Sequence, residues 1–182
     1  VDASQLSNIS GSRAFVQGAL SDSSISGLSV KDVILTEGAG TIPGTVTAAE
    51  ANDIAALTTG SVTAKISTGS VSALTSLNET NNAYSITISD TNGVSAAALT
   101  TLAGKTTVDL NASAVTSVTG SVSELSTLYA ANDITGLGNE AISFSSALSV
   151  SEANTVNTLT TGAVTAAISD GDMATLAGLT ET

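Results

Sequence analysis

A stretch of about thirty residues occurs twice in this chain, and that repetition constrains the fold more than any other feature. Laying Glu50–Thr80 on Glu152–Thr182 without a gap matches about 17 of roughly 31 positions, far beyond chance. The first segment reads as a helix start, a helical run, a glycine turn and a strand. The second reads the same way.

Further copies surround it. Asp2 to Ser12 resembles Asn111 to Ser121, Ile25-Ser-Gly-Leu28 falls on Ile134-Thr-Gly-Leu137, and Val33–Leu35 falls on Ile142–Phe144. The offset then changes by about seven residues, which places a loop insertion in Thr36–Gly44, where the only proline, Pro43, lies. The expected organisation is one array over 1–182, with super-repeat copies at about 1–107 and 108–182.

Within a copy the hydrophobic period alternates between two values. Period two marks strands at Asp32–Thr36, Ser61–Ser67, Tyr84–Ser89, Thr106–Asn111, Ala141–Ser145 and Ala163–Ser169. Helical spacing marks Val94, Ala98, Leu99 and Leu102, and also Val122, Leu125 and Leu128 or Tyr129. Thr47-x-x-Glu50, Ser121-x-x-Glu124 and Ser149-x-x-Glu152 are three capping boxes at equivalent points. Gly60, Gly104 and Gly162 sit where a left-handed residue would end each helix. These signals predict an α/β repeat solenoid with one parallel β-sheet face and one row of short helices, right-handed by the crossover rule. Thr and Ser are frequent in the helical runs and Thr has modest helix propensity, so an all-β solenoid is the alternative.

Composition narrows the function classes. The chain is 42% hydrophobic but holds only two Phe, two Tyr and no Trp, so apolar area must come from Val, Ile, Leu and Ala in thin layers. Net charge is −12, with Arg13, Lys31, Lys65 and Lys105 the only bases. Four scattered bases cannot track a phosphate backbone, which argues against nucleic acid. Anionic membrane surfaces would repel the chain, and no apolar run is long enough for membrane insertion. There is no His and no Cys, which removes the usual nucleophile–base pairs and thiol chemistry. The expectation is that the chain is not an enzyme. The absence of Cys fits an exported bacterial protein. Val1-Asp-Ala-Ser begins in mid-pattern and shows no leader, so Val1 is read as an internal start.

A few polar groups invite a metal. Asp90-x-Asn92-Gly93 opens like a calcium loop, but Thr101 stands where an EF-hand needs its bidentate acid. Asp170-Gly-Asp172 is similar, although its counterpart Thr68-Gly-Ser70 carries no charge. Asp90, Asn92, Asp170 and Asp172 are therefore the metal candidates, with calcium the ion and a turn or N-cap role the competing reading. The loop Asn132–Glu140 could gather Asp133, Asn139 and Glu140. What recurs in its counterpart is only Ile-x-Gly-Leu, which favours a structural corner. The outward strand positions Thr63, Lys65, Ser67, Ser85, Thr87, Ser89, Thr107, Asp109, Asn111, Ser143, Ser145, Thr165, Ala167 and Ser169 would form a flat hydroxyl face open to ice, a glycan or another copy. Lys65 and Asp109 break the regularity that ice would need, and a plain exposed polar face is favoured over any specific ligand. Asn8-Ile-Ser10, Asn78-Glu-Thr80 and Asn111-Ala-Ser113 match the glycosylation pattern, as composition alone would produce.

The Ala/Ser/Thr-rich units, especially Val94 to Thr106 and Ile134 to Ile142, resemble repeat regions of very large exported or cell-surface proteins of marine cyanobacteria and related bacteria. That resemblance covers nearly the whole chain and implies an extracellular or cell-surface structural role without activity. The expected function is then a filament, sheath, stalk or adhesin segment that stacks and self-associates end to end through open strand edges. The alternative is a calcium- or glycan-binding surface module.

Overall fold

Short polar residues ahead of apolar runs start many brief helices, and alternating apolar positions between them make brief strands. The computed structural model describes residues 1–36, 43–78 and 80–180. In chain order the elements are β1 (Asn8–Gly11), α1 (Arg13–Ser21), β2 (Asp32–Leu35), β3 (Thr45–Val46), α2 (Ala48–Ala55), β4 (Val62–Ile66), α3 (Val71–Leu74), β5 (Ala83–Ser85) and β6 (Val94–Ser95). They continue with α4 (Ala96–Ala103), β7 (Leu110–Asn111), β8 (Ser117–Thr119), α5 (Val122–Ala130), β9 (Ile134–Thr135), β10 (Ala141–Ser143), α6 (Val150–Asn157), β11 (Val164–Thr165) and α7 (Met173–Leu176).

Every strand pair is parallel, but the strands do not form one face. Among the described residues they fall into three sheets: β1-β2-β4-β3 with β5 also on β4, then β11-β10-β8-β6, then β7-β9. Strand β4 shows why the sheet curls. Its Val62 and Thr63 pair with β2, while Lys65 and Ile66 pair with β3. Two short strands thus share the length of one longer strand, and β5 takes its other edge. The expected insertion separates β2 from β3, and its Glu37–Ile42 part lies outside the described residues.

The inward positions meet in one hydrophobic core that runs from Ala3 to Val156 and includes Val33, Val62, Tyr84, Leu99, Leu125 and Ile142. The repeat-solenoid expectation, one sheet face with one helix row, is corrected by these observations. The chain is an alternating α/β domain whose parallel sheets curl around a shared core, held by contacts between residues far apart in sequence. Seven helices among the described residues also exclude the all-β solenoid. The extended filament, sheath, stalk or adhesin segment is corrected with it, and so is end-to-end self-association. That inference required a stack of open coils, whereas the chain packs as one compact unit. No helix among the described residues is long and apolar enough to cross a membrane.

Two local features explain how so polar a chain stays ordered. Threonines within helices fold their hydroxyls back onto the preceding turn: Thr100 donates to Ala96 O at 3.1 Å, Thr101 to Ala97 O at 2.8 Å, and Thr127 to Ser123 O at 2.9 Å. Small alanines (Ala51, Ala96, Ala103) face inward and let the helices lie close to the sheets.

The glycines act differently from expectation. Gly60, Gly104 and Gly162 are not left-handed; Gly104 caps α4 at φ −65°. Gly60 and Gly162 are needed for close approach instead. A Cβ on Gly60 would lie 2.3 Å from Lys31 O, and one on Gly162 would lie 2.4 Å from Glu140 O. Thr58 and Thr160 complete these crossings. Each hydroxyl donates to the same neighbouring carbonyl, at 2.6 and 2.7 Å, and accepts from the amide of Gly60 or Gly162. Gly162→Ala is expected to destabilise the domain by about 2–3 kcal/mol, because backbone must move to admit the methyl group. Gly171→Ala, which meets open space, should be neutral or stabilising by up to about 1 kcal/mol. Urea denaturation of both variants checks the contrast.

Candidate functional site

The metal candidates fall in two turns far apart in sequence, and their carboxylates point into the fold's own hydrogen bonds. Asp90 Oδ2 accepts from Val71 N at 2.5 Å, and Asp170 Oδ2 accepts from Val150 N at 2.7 Å. Each reaches across from a neighbouring turn to a first-turn amide of α3 or α6 that the helix cannot satisfy itself. Asp172 caps its own helix, α7, by accepting from Thr175 N at 2.8 Å. Asn92 accepts from the Thr116 hydroxyl at 2.9 Å and donates to the Thr91 hydroxyl at 3.1 Å. No group of three or more acidic side chains within reach of one metal ion occurs among the described residues.

The loop before β10 separates Asp133, Asn139 and Glu140 instead of gathering them. Asp133 and Asn139 are exposed, whereas Glu140 is fully buried. Glu140 Oε2 accepts from the Tyr129 hydroxyl at 2.9 Å and from Gly138 N at 2.8 Å. Its Oε1 is buried without a partner among the described residues. Burial, and then the hydrogen bond and charge of Glu140, raise the Tyr129 phenol well above the usual range. This buried Tyr–Glu pair was not anticipated. The available signal was an acid directly ahead of an alternating apolar run, at a position where the other copy has Lys31.

The outward hydroxyl positions do not make one flat array. Thr63 and Ser85 belong to the first sheet, Asn111 to the β7-β9 pair and Ser143 and Thr165 to the sheet of β10 and β11. The curl that closes the core divides the face a glycan would have needed.

A broad concavity lies elsewhere, on the helix side. Helices α4 and α5 pack side by side, and a shallow groove of about 860 Å³ is lined by Thr100, Ser123, Ser126, Thr127, Asn132 and Asp133 with Ala130 and Ala131. A smaller hollow of about 310 Å³ adjoins it and adds Ala97, Thr101 and Glu124 while sharing Thr100, Ser123 and Thr127. The walls are short side chains, so a bound chain's backbone could approach both helices closely. Neither wall contains a lysine or an arginine.

All three expected capping boxes are present. Glu50, Glu124 and Glu152 accept from the amides of Thr47, Ser121 and Ser149 at 2.9, 2.7 and 2.8 Å. The reciprocal bonds from the glutamate amides are each 3.2 Å. The backbone hydrogen bond is the main cause that lowers each glutamate below the usual 4.5, followed by the cap hydroxyl.

Comparison of the chain with models of known families, with curated proteins and with solved structures finds no match. The resemblance to Ala/Ser/Thr-rich surface repeat regions is corrected by the structure, since the chain folds as one α/β domain with a shared core rather than a low-complexity repetitive stretch.

A depressed carboxylate contributes stability that is fully present above its unfolded value and is lost as pH falls through the folded value. Stability should therefore decline as pH drops below about 4.5. The triple variant Glu50→Gln, Glu124→Gln, Glu152→Gln keeps the cap geometry but cannot titrate there. Its urea midpoint should change less between neutral and acidic pH than that of the parent. Equal slopes would show that the boxes do not contribute to acid sensitivity.

Proposed function

We propose that the chain is a non-catalytic binding domain that presents the groove between α4 and α5 to a macromolecular partner. The observation that carries this reading is the groove itself. It is broad, it is shallow rather than cleft-like, and its walls are two adjacent helices with small side chains. Most polar side chains that could do chemistry are already committed to caps and crossings. With no His or Cys in the sequence, lysine is the remaining base commonly paired with a serine nucleophile, and no lysine lines this groove.

Peptides selected from a random display library against the folded domain are expected to bind in this groove. Thr127 is exposed and shared by both parts of it, so Thr127→Trp should weaken the selected binders at least tenfold while leaving the thermal melt unchanged. Binders indifferent to that substitution, or no binders at all, would sink the groove reading.

We further infer an extracellular or cell-surface location, supported by the absence of Cys and the strongly acidic surface. Protease added to intact producing cells should release or digest the domain. Protection until lysis would place it inside.

A further inference from the structure

We propose that the partner seated in the α4–α5 groove is a basic, extended polypeptide segment rich in Arg or Lys; this rests on the groove being the binding site. Three independent features of the groove select for hydrogen-bond donors carrying positive charge.

The first is the state of its hydroxyls. Thr100, Thr101 and Thr127 each donate their proton to a carbonyl one turn back in their own helix. What these oxygens present to the groove is lone pairs alone. At these three positions the groove favours guanidinium, ammonium and amide N–H groups over carboxylates or carbonyls, while Ser123, Ser126 and Asn132 on the same walls carry donors of their own.

The second is an unusual pair of acids. Sixteen carboxylates occur in the sequence, and Glu37, Glu79 and Glu181 lie outside the described residues, which leaves thirteen. Ten of them accept a hydrogen bond within the domain, such as Asp32 from Ser61 N and Asp22 from Ser24 N. Only the side-chain carboxylates of Asp53, Asp109 and Asp133 have neither a hydrogen bond nor an ion pair among the described residues. Asp133 lines the groove. Asp109 lies beside it, because Leu110 pairs in parallel with Ile134 and Leu110 N donates to Asp133 O at 2.8 Å. Neighbouring parallel strands put the roots of the two side chains about 5 Å apart. Two exposed like charges so placed repel each other, and a bound cation relieves that repulsion.

The third is long-range. The domain carries a net charge of −12, and none of its four bases lines the groove. The one ion pair among the described residues joins Arg13 to Glu50, on other helices. Lys105 follows α4 but forms no part of the wall. The field thus steers cations toward the groove and repels acidic chains and nucleic acid.

The test uses a blocked eight-residue peptide of alternating Arg and Ser, a Gln–Ser analogue and a Glu–Ser analogue, each titrated into the isotope-labelled domain and followed by NMR. The Arg peptide should shift resonances of Ser123, Thr127 and Asp133, and should bind at least tenfold tighter than the Gln analogue. Raising salt from about 20 to about 200 mM should weaken it at least fivefold as the Debye length shortens. The double variant Asp109→Asn, Asp133→Asn should lose at least fivefold in affinity, and Asp53→Asn should lose none. If the Gln peptide binds the groove as tightly as the Arg peptide, the charge inference fails while the groove reading stands. If no peptide binds, and display selection also yields none, both fail. Equal binding of the Arg peptide to wild type and to the double variant overturns the proposal. So does calcium alone, if it saturates Asp109 and Asp133 and displaces the peptide, because the pair is then a metal site.

Discussion

Backbone from one segment must hydrogen-bond to backbone roughly two dozen residues further on, and the strands available for this are only two to five residues long. So short a ladder leaves many amides and carbonyls at its ends without strand partners, each costly if buried. Side chains therefore complete the ladder. Thr58 and Thr160 bridge crossing carbonyls, Asn82 Oδ1 takes Val62 N at 2.7 Å, and Thr106 Oγ1 donates to Tyr84 O at 2.8 Å. Asn52 and Asn154 each hold a following loop with both ends of the amide, at 2.8–3.0 Å. The abundance of Ser, Thr and Asn follows from this need.

Helix starts obey the same constraint. All seven helices among the described residues begin with a hydroxyl or carboxylate that accepts from the third amide onward: Ser12, Thr47, Ser70, Ser95, Ser121, Ser149 and Asp172. Asp90 and Asp170 add a second acceptor from a neighbouring turn. Caps of this type contribute about 1 kcal/mol each, which matters for helices of four to nine residues that would not persist alone. The acids that looked like metal ligands are drawn into this work. Of the three carboxylates left out, Asp53 lies on α2, whereas Asp133 lines the helix groove and Asp109 lies beside it, and this is why the partner chemistry is read there.

Core composition follows from the same close spacing. With two Phe and two Tyr in the chain, only Tyr84 is fully buried among the aromatics. The remaining interior is Val, Ile, Leu and Ala, whose small volumes allow backbones to cross at Gly60 and Gly162. Those crossings, rather than left-handed turns, account for the two glycines. Sequence alone could not distinguish the cases, since glycine serves both needs and the decisive distance is to a carbonyl twenty or more residues away.

Capping boxes at Thr47, Ser121 and Ser149, the helical runs after Val94 and Val122, and the strand cores around Val33, Val62 and Ile142 could all be read from local spacing, because a cap or an amphipathic period involves residues within one or two turns. The brief strands β3, β6 and β9 could not, since two residues carry no detectable period. How the strands divide among three sheets was also hidden, because it depends on which half of β4 each neighbour meets after the insertion. The burial of Glu140 against Tyr129, and the pairing of Leu110 with Ile134 that brings Asp109 beside Asp133, were likewise decided only in three dimensions. The sequence by itself determined that this chain alternates short capped helices with parallel strands. Tertiary structure decided that those strands curl around one core instead of extending as a face, because register between distant segments, and not local propensity, sets where each backbone finds its partner.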